Sequence, residues 1–144
     1  MSDHVHVVCP HCNAVNRVLR ARVDASAKCG GCKQTLMVAE PFELTEAGFD
    51  AHVRANDLPL VVDFWAPWCG PCRAMAPAYA EAAARLAPGV RLAKLNTEAA
   101  PAIAARFGIR GIPTLIAFRN GSEVARQSGA MDLAGLLGWI KASV

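Results

Sequence analysis

Val62-Asp-Phe-Trp-Ala-Pro-Trp-Cys-Gly-Pro-Cys72 leads from an apolar segment into a pair of cysteines. Leu60–Trp65 is apolar except for Asp63, and its β-branched and aromatic residues are typical of a buried central strand. The Ala-rich stretch Cys69–Leu86 predicts a helix, which Pro77 should kink because proline lacks the backbone N–H. Cys69 therefore stands where a strand gives way to a helix.

That position predicts the chemistry of the two cysteines. Unpaired N–H groups and the helix dipole should favour the thiolate of Cys69, and only a thiolate attacks a disulfide. Cys72 lies one helical turn further on, close enough to attack the resulting mixed disulfide. Pro71 suits the first helical turn and stiffens the ring that a Cys69–Cys72 disulfide would close. The pair is thus a candidate redox centre.

Two charged residues interrupt apolar strands near this centre. Burial should raise the pKa of Asp63, so that its carboxylate can take the proton of Cys72. Lys94, within Leu92-Ala93-Lys94-Leu95, is a candidate partner of Asp63. The residues alone leave an alternative open: a buried structural ion pair that transfers no proton.

The rest of the chain alternates helix-like and strand-like segments. Asn120-Gly121 is typical of a tight hairpin, because both residues tolerate positive φ. The order predicts parallel strands joined by crossover helices, followed by an antiparallel hairpin. The predicted helices are one capped by Thr45, Ala99–Phe107 and Met131–Ala142, and the further strands are Val90–Leu95, Thr114–Arg119 and Glu123–Gln127.

From about residue 43 to the C-terminus, these motifs together with Gly111-Ile112-Pro113-Thr114 and Ser128-Gly129-Ala130 resemble the thioredoxin family. The resemblance implies the α/β thioredoxin fold, a central mixed sheet flanked by helices. It also implies a cis Ile112–Pro113 bond facing the dithiol, although Pro113 by itself could simply begin a strand. The substrate-facing residues that it implies are Trp68, Gly70, Pro71, Gly111, Ile112, Pro113 and Gly129.

The resemblance also carries expectations about activity. It implies a protein-disulfide reductase that is recharged by an NADPH-dependent thioredoxin reductase, and it favours the acid–base role for Asp63. The Gly70-Pro71 pair resembles reducing members of the family, which argues against an isomerase or oxidase.

Four further cysteines, Cys9, Cys12, Cys29 and Cys32, have the spacing C-x2-C-x16-C-x2-C. This spacing is typical of a four-thiolate zinc site, which has no open position for catalysis and is therefore expected to be structural. Asn13, Gly30 and Gly31 suit positive φ within the two knuckles. A segment of about 40 residues rarely folds alone without a metal, a disulfide or a partner, and zinc would supply that stabilisation here. Because Pro41 interrupts the apolar run Leu36–Val38, we predict a zinc-ribbon-like module over residues 1–40 and a thioredoxin domain over 41–144.

A zinc module followed by such a domain resembles the thioredoxin-2 type of the family. An alternative function, from another class, is a redox-switched zinc-binding protein or holdase. Oxidation of the four cysteines would then eject zinc and expose apolar residues such as Leu36–Val38.

Composition narrows the remaining possibilities. With 53% hydrophobic and 19% charged residues, the chain should form a packed core. The net charge of +3 suggests neither nucleic acid nor a membrane surface as partner, and the N-terminus does not resemble a secretory signal. We therefore expect a cytoplasmic monomer, in which six cysteines serve metal binding and redox chemistry rather than structural disulfides.

Overall fold

A computed structural model describes residues 3–144, most of which surround one five-stranded sheet. In spatial order its strands are β3 (Phe42–Glu43), β5 (Arg91–Asn96), β4 (Leu60–Trp65), β6 (Thr114–Arg119) and β7 (Ser122–Ser128). The first three are parallel to one another, while β6 and β7 are antiparallel to their neighbours. This mixed sheet confirms the predicted order of parallel strands and terminal hairpin.

Helices cover both faces of the sheet. Helices α1 (Phe49–Arg54) and α3 (Pro101–Arg106) pack on one face, where Phe49 and Ile103 meet the even-numbered residues of β4. Helices α2 (Gly70–Leu86) and α4 (Leu133–Ser143) cover the other face. The fold implied by the resemblance is thereby confirmed. No helix of residues 3–144 combines the length and apolarity needed to cross a membrane.

Two local features differ from the sequence-based prediction. Thr45 does not cap α1, because Gly48 precedes the first residue of that helix. Instead, Thr45 closes the turn before it: its hydroxyl accepts a hydrogen bond from the Gly48 N–H at 3.0 Å and its carbonyl accepts one from the Phe49 N–H at 3.0 Å. The sequence also gave no sign of β3, whose two residues are too few to show periodicity.

The N-terminal part forms a separate small sheet. Strands β1 (His4–Val8) and β2 (Val15–Leu19) pair as an antiparallel hairpin, followed by a single 3-10 turn at Arg20–Arg22. Behind the hairpin, Val5, Val7, Leu36 and Met37 form a buried cluster. Leu58 from the larger part packs against this cluster. The division at residues 1–40 and 41–144 stays a prediction, since the two parts share this contact.

Arg91, the first residue of β5, fastens the small sheet to the large one. The Arg91 side chain is buried at 5% exposure, and its guanidinium donates to the carbonyl oxygens of Val8 and Leu36, both at 3.2 Å. It also lies over the Phe42 ring, 5.1 Å from the centroid. Because Arg91 begins β5, the small sheet lies at the end of the large sheet opposite to the dithiol, which follows the end of β4.

Two polar contacts complete this interface. The Asn13 carbonyl oxygen Oδ1 lies 3.0 Å from Nε2 of His52 in α1. Asp57 accepts a hydrogen bond from the His6 N–H at 2.7 Å and donates its own N–H to the His6 carbonyl at 2.9 Å. The interface thus combines apolar packing with buried and exposed hydrogen bonds.

Candidate functional site

The cysteine pair lies at the N-terminus of α2. A disulfide joins Cys69 and Cys72, whose Cα atoms are 5.3 Å apart. Cys69 is the N-cap residue in an extended conformation, and its Sγ accepts a hydrogen bond from the Cys72 N–H at 3.2 Å. A negative charge on Cys69 would therefore meet a helix N-terminus and an N–H donor. The strand-to-helix transition places this sulfur as the sequence predicts.

An exposed rim surrounds these buried sulfurs. Trp68 is 66% exposed, and its indole N–H donates to the Glu98 carboxylate at 2.5 Å, which fixes the ring beside the dithiol. Gly70 and Pro71 are also exposed, in the first turn of α2. The three residues form an accessible edge next to Cys69.

The loop before β6 closes the other side. The Ile112 carbonyl oxygen is 3.7 Å from Cys69 Sγ, and the Ile112–Pro113 bond is cis, as the resemblance implies. Gly111 is exposed beside it. The Gly129 N–H donates to the Pro113 carbonyl at 2.9 Å, with Gly129 at φ +96°. All the substrate-facing residues that the resemblance implies therefore lie at one end of the molecule, and together they form the rim around Cys69.

Asp63 lies in β4 beneath the helix that carries the dithiol. It is 1% exposed, and its Oδ1 has no hydrogen-bond partner among residues 3–144. Burial raises the pKa of Asp63 to about 7, Lys94 opposes that rise and Glu43 adds to it. A buried carboxyl with such a pKa exchanges its proton near neutral pH.

Lys94 is the register neighbour of Asp63 across β4 and β5. Its ammonium nitrogen lies over the Trp65 ring, 4.1 Å from the centroid. Within residues 3–144, no oxygen of Asp63 comes within 4.0 Å of it. The closed ion pair that the sequence left open is therefore absent in the described part of the chain, because the ammonium contacts the aromatic face instead.

The four remaining cysteines form a second cluster. Their sulfur atoms all lie within 4.8 Å of one another. Cys9 and Cys32 Sγ are 3.6 Å apart, as are Cys12 and Cys29 Sγ. Tetrahedral zinc with Zn–S bonds of about 2.3 Å requires sulfur separations of about 3.8 Å. The donor set and its spacing thus fit a four-thiolate metal ion.

Both knuckles share one backbone geometry. The N–H of Asn13 donates to the Cys9 carbonyl at 3.0 Å, and the N–H of Lys33 donates to the Cys29 carbonyl at 2.9 Å. These two residues, each directly after the second cysteine of a knuckle, have φ of +66° and +68°. The prediction for Asn13 is confirmed. That for Gly30 and Gly31 is wrong, because the left-handed residue of the second knuckle is Lys33.

Asn16 reinforces the second knuckle and was not identified from the sequence. Its carbonyl oxygen accepts a hydrogen bond from the Gly30 N–H at 2.9 Å, and its amide nitrogen donates to Cys29 Sγ at 3.5 Å. Hydrogen bonds from the Cys32 N–H and from Asn16 lower the pKa of Cys29 to about 6. Glu43 and Glu98 were missed as well. Each acquires its neighbours only through tertiary pairing.

The dithiol and the sheet that carries it define the class of protein, a thiol–disulfide oxidoreductase with a metal-binding appendage. Comparison with known proteins agrees: the family model described as Thioredoxin matches residues 40–142, and that described as Thioredoxin 2, N-terminal, matches residues 8–34. The chain belongs to the thioredoxin family.

Individual relatives agree with this assignment, and one of them aligns with most of the chain. Thioredoxin C-3 of Corynebacterium nephridii is 43% identical over 134 residues, which cover 93% of this chain and 92% of that protein. Thioredoxin of Rhodospirillum rubrum is 43% identical over 102 residues, covering 71% of this chain and 98% of its own. Thioredoxin of Haemophilus influenzae is 41% identical over 103 residues, covering 72% and 96%.

Proposed function

We propose that the chain reduces disulfides of client proteins through Cys69 and Cys72. The Cys69 thiolate attacks one client sulfur, so that a Cys69–client bond forms, the client S–S bond breaks and the leaving sulfur takes a proton. Cys72 then loses its proton and attacks Cys69 Sγ, which releases the second client thiolate. The client gains two electrons and the protein ends with the Cys69–Cys72 disulfide. The observation that carries the proposal is Cys69 at the helix N-cap, with its sulfur accepting the Cys72 N–H.

Asp63 is proposed as the base that receives the Cys72 proton. The positive charge of Lys94 would stabilise the Asp63 carboxylate until it accepts that proton. A pKa of about 7 supports this role, since a base near the working pH exchanges protons efficiently. The positions of Asp63 and Cys72 also support this role, because Asp63 lies on the face of β4 that α2 covers and Cys72 lies in the first turn of α2.

The exposed rim is the proposed client-binding surface. Trp68 offers a large apolar face, and the backbone at Gly111 and Ile112 offers polar groups to an extended peptide. Gly70, Pro71, Pro113 and Gly129 keep the approach to Cys69 free of bulky side chains.

The ion we propose for Cys9, Cys12, Cys29 and Cys32 is a structural zinc, which would stabilise the small sheet. An NADPH-dependent thioredoxin reductase would supply the two electrons for the next cycle to a monomer in the cytoplasm. The holdase alternative requires Leu36 and Met37 to leave a core in which they are 0% and 6% exposed.

Two matched variants test the dithiol assignment. Cys69→Ser should abolish reduction of a model protein disulfide, because no other thiol occupies the helix N-cap. Cys72→Ser should still attack but should accumulate a covalent Cys69–client adduct, detectable by mass under non-reducing conditions. Reduction at the wild-type rate by Cys69→Ser would overturn the proposal, and so would a Cys72→Ser protein that forms no adduct.

A further inference from the structure

Glu43 lies on the same side of the sheet as the proposed proton acceptor, with one lysine between them. The register pairs Glu43 with Lys94 across β3 and β5, and pairs Lys94 with Asp63 across β5 and β4. Paired residues in neighbouring strands point to the same face. Two carboxyl groups therefore flank a single ammonium, one at the exposed sheet edge and one buried beneath α2.

Trp65 adds a second, independent observation. Its indole Nε1 is buried and makes no hydrogen bond of normal geometry within residues 3–144, yet it lies close enough to the Glu43 carboxyl to lower the pKa of that group. Trp65 and Glu43 line the same cleft of about 510 Å³, and the Trp65 ring lies under the Lys94 ammonium. The cleft thus places the Glu43 carboxyl beside the Trp65 indole, and the Lys94 ammonium lies over that same indole ring.

We propose that Glu43 is a positioning residue that shares the Lys94 ammonium with Asp63 and so sets how readily Asp63 takes up and releases its proton. The inference rests on the proposed function, since that function makes the Asp63 proton part of the reaction. The Lys94 ammonium lies over the Trp65 ring, and within residues 3–144 no oxygen of either carboxyl comes within 4.0 Å of it, so Glu43 acts on the ammonium through its charge. Without Glu43, Lys94 is free to approach Asp63 and stabilise its ionised form.

The charges around Asp63 support this assignment. Lys94 faces Asp63 from β5, Glu43 from β3 and the Tyr79 hydroxyl from α2. Glu43 raises the pKa of Asp63 and Lys94 lowers it. Cys69 and Cys72, at the start of α2, are joined in a disulfide and do not titrate in that state. The oxidised protein therefore isolates the Asp63 titration from the cysteines.

The decisive measurement is the titration of the Asp63 carboxyl carbon by NMR in oxidised wild-type, Glu43→Gln and Glu46→Gln proteins. Glu46 borders the same cleft but has no register pairing with Lys94, so its variant removes an equal charge from a matched place. Glu43→Gln should move the Asp63 midpoint down by about 0.5 to 1 pH unit. Glu46→Gln should move it less than half as far, and Glu43→Asp should restore most of the difference.

A double-mutant cycle separates sharing of Lys94 from simple repulsion between carboxylates. In a Lys94→Gln background, Glu43→Gln should have at most half of its effect. An unchanged midpoint in Glu43→Gln, equal shifts in Glu43→Gln and Glu46→Gln, or an undiminished effect without Lys94 would each overturn the inference. If the Glu43→Gln titration moves while the pH profile of client reduction does not, Glu43 is confirmed and the proposed acid–base role of Asp63 fails.

Discussion

Among single residues, Asp63 links the redox site to the stability of the chain. Its carboxyl is nearly inaccessible, and burial raises its pKa from 3.8 to about 7. Between those pH values the folded protein binds a proton that the unfolded chain has released. The contribution of Asp63 to stability is therefore present below about pH 4 and is lost as the pH rises through about 7.

Asp63→Asn should remove this dependence, because asparagine stays neutral throughout. Relative to the variant, the oxidised wild type should lose about 2 to 4 kcal/mol of unfolding free energy between pH 5 and pH 8. Urea unfolding of both proteins at the two pH values measures the difference. The comparison is needed because His52, whose pKa burial lowers to about 4, contributes the opposite slope to both proteins. Parallel pH dependences in the two proteins would contradict the assignment.

At the scale of elements, the start of α1 is shaped by the metal-binding part of the chain. A Cβ atom on Gly48 would lie 2.6 Å from the side chain of Asn13, so the glycine makes room for that side chain. Asn13 in turn is the hydrogen-bond partner of the buried His52. Gly48 is thus required for a contact between elements and not for its own backbone conformation.

Gly48→Ala should displace Asn13 and leave His52 without its partner. We expect a loss of about 1 to 3 kcal/mol in unfolding free energy, which chemical denaturation would detect. Gly138→Ala is the control, since a Cβ there meets no atom within 4 Å and alanine in a helix is worth about 0.5 to 1 kcal/mol in the stabilising direction. A neutral Gly48→Ala would show that Asn13 can move without cost.

Elements with a strong local pattern were predictable, and those defined by pairing were not. The run Leu60–Trp65 and the Asn120-Gly121 turn are correct as predicted, with φ of +52° and +81° at the turn residues. β3 is a strand only because Phe42 and Glu43 pair with β5. The dithiol and the metal cysteines could be found for the same reason as the strong elements, since each set is contained in a short motif. Glu43 could not, because its relation to Lys94 exists only across the sheet.

On the scale of the whole molecule, the two candidate sites occupy opposite ends of one strand system. Arg91 at the beginning of β5 donates to the carbonyl of Val8, directly before Cys9 of the candidate metal site, while Lys94 further along β5 is paired in register with Asp63. Burial lowers the pKa of Arg91 to about 10, which leaves the guanidinium charged at neutral pH. The hydrogen bond from Arg91 to Val8 therefore connects the candidate metal site directly to β5, the strand beside the redox site.

Arg91→Met should break that connection while keeping an apolar stem in the same space. It leaves the Val8 and Leu36 carbonyls without their donor, at a cost of about 2 to 4 kcal/mol, whereas Arg85→Met at an exposed helix pair should cost below about 1 kcal/mol. The coupling between the candidate metal site and β5 is measured by amide-hydrogen exchange before and after chelation, with metal content followed by native mass spectrometry. In the wild type, chelation should reduce protection of the β1–β2 hairpin and of β5 together. In Arg91→Met only the hairpin should respond, because the guanidinium that joins Val8 to β5 is gone. If β5 loses protection equally in both proteins, the coupling runs instead through Leu58 and Asn13.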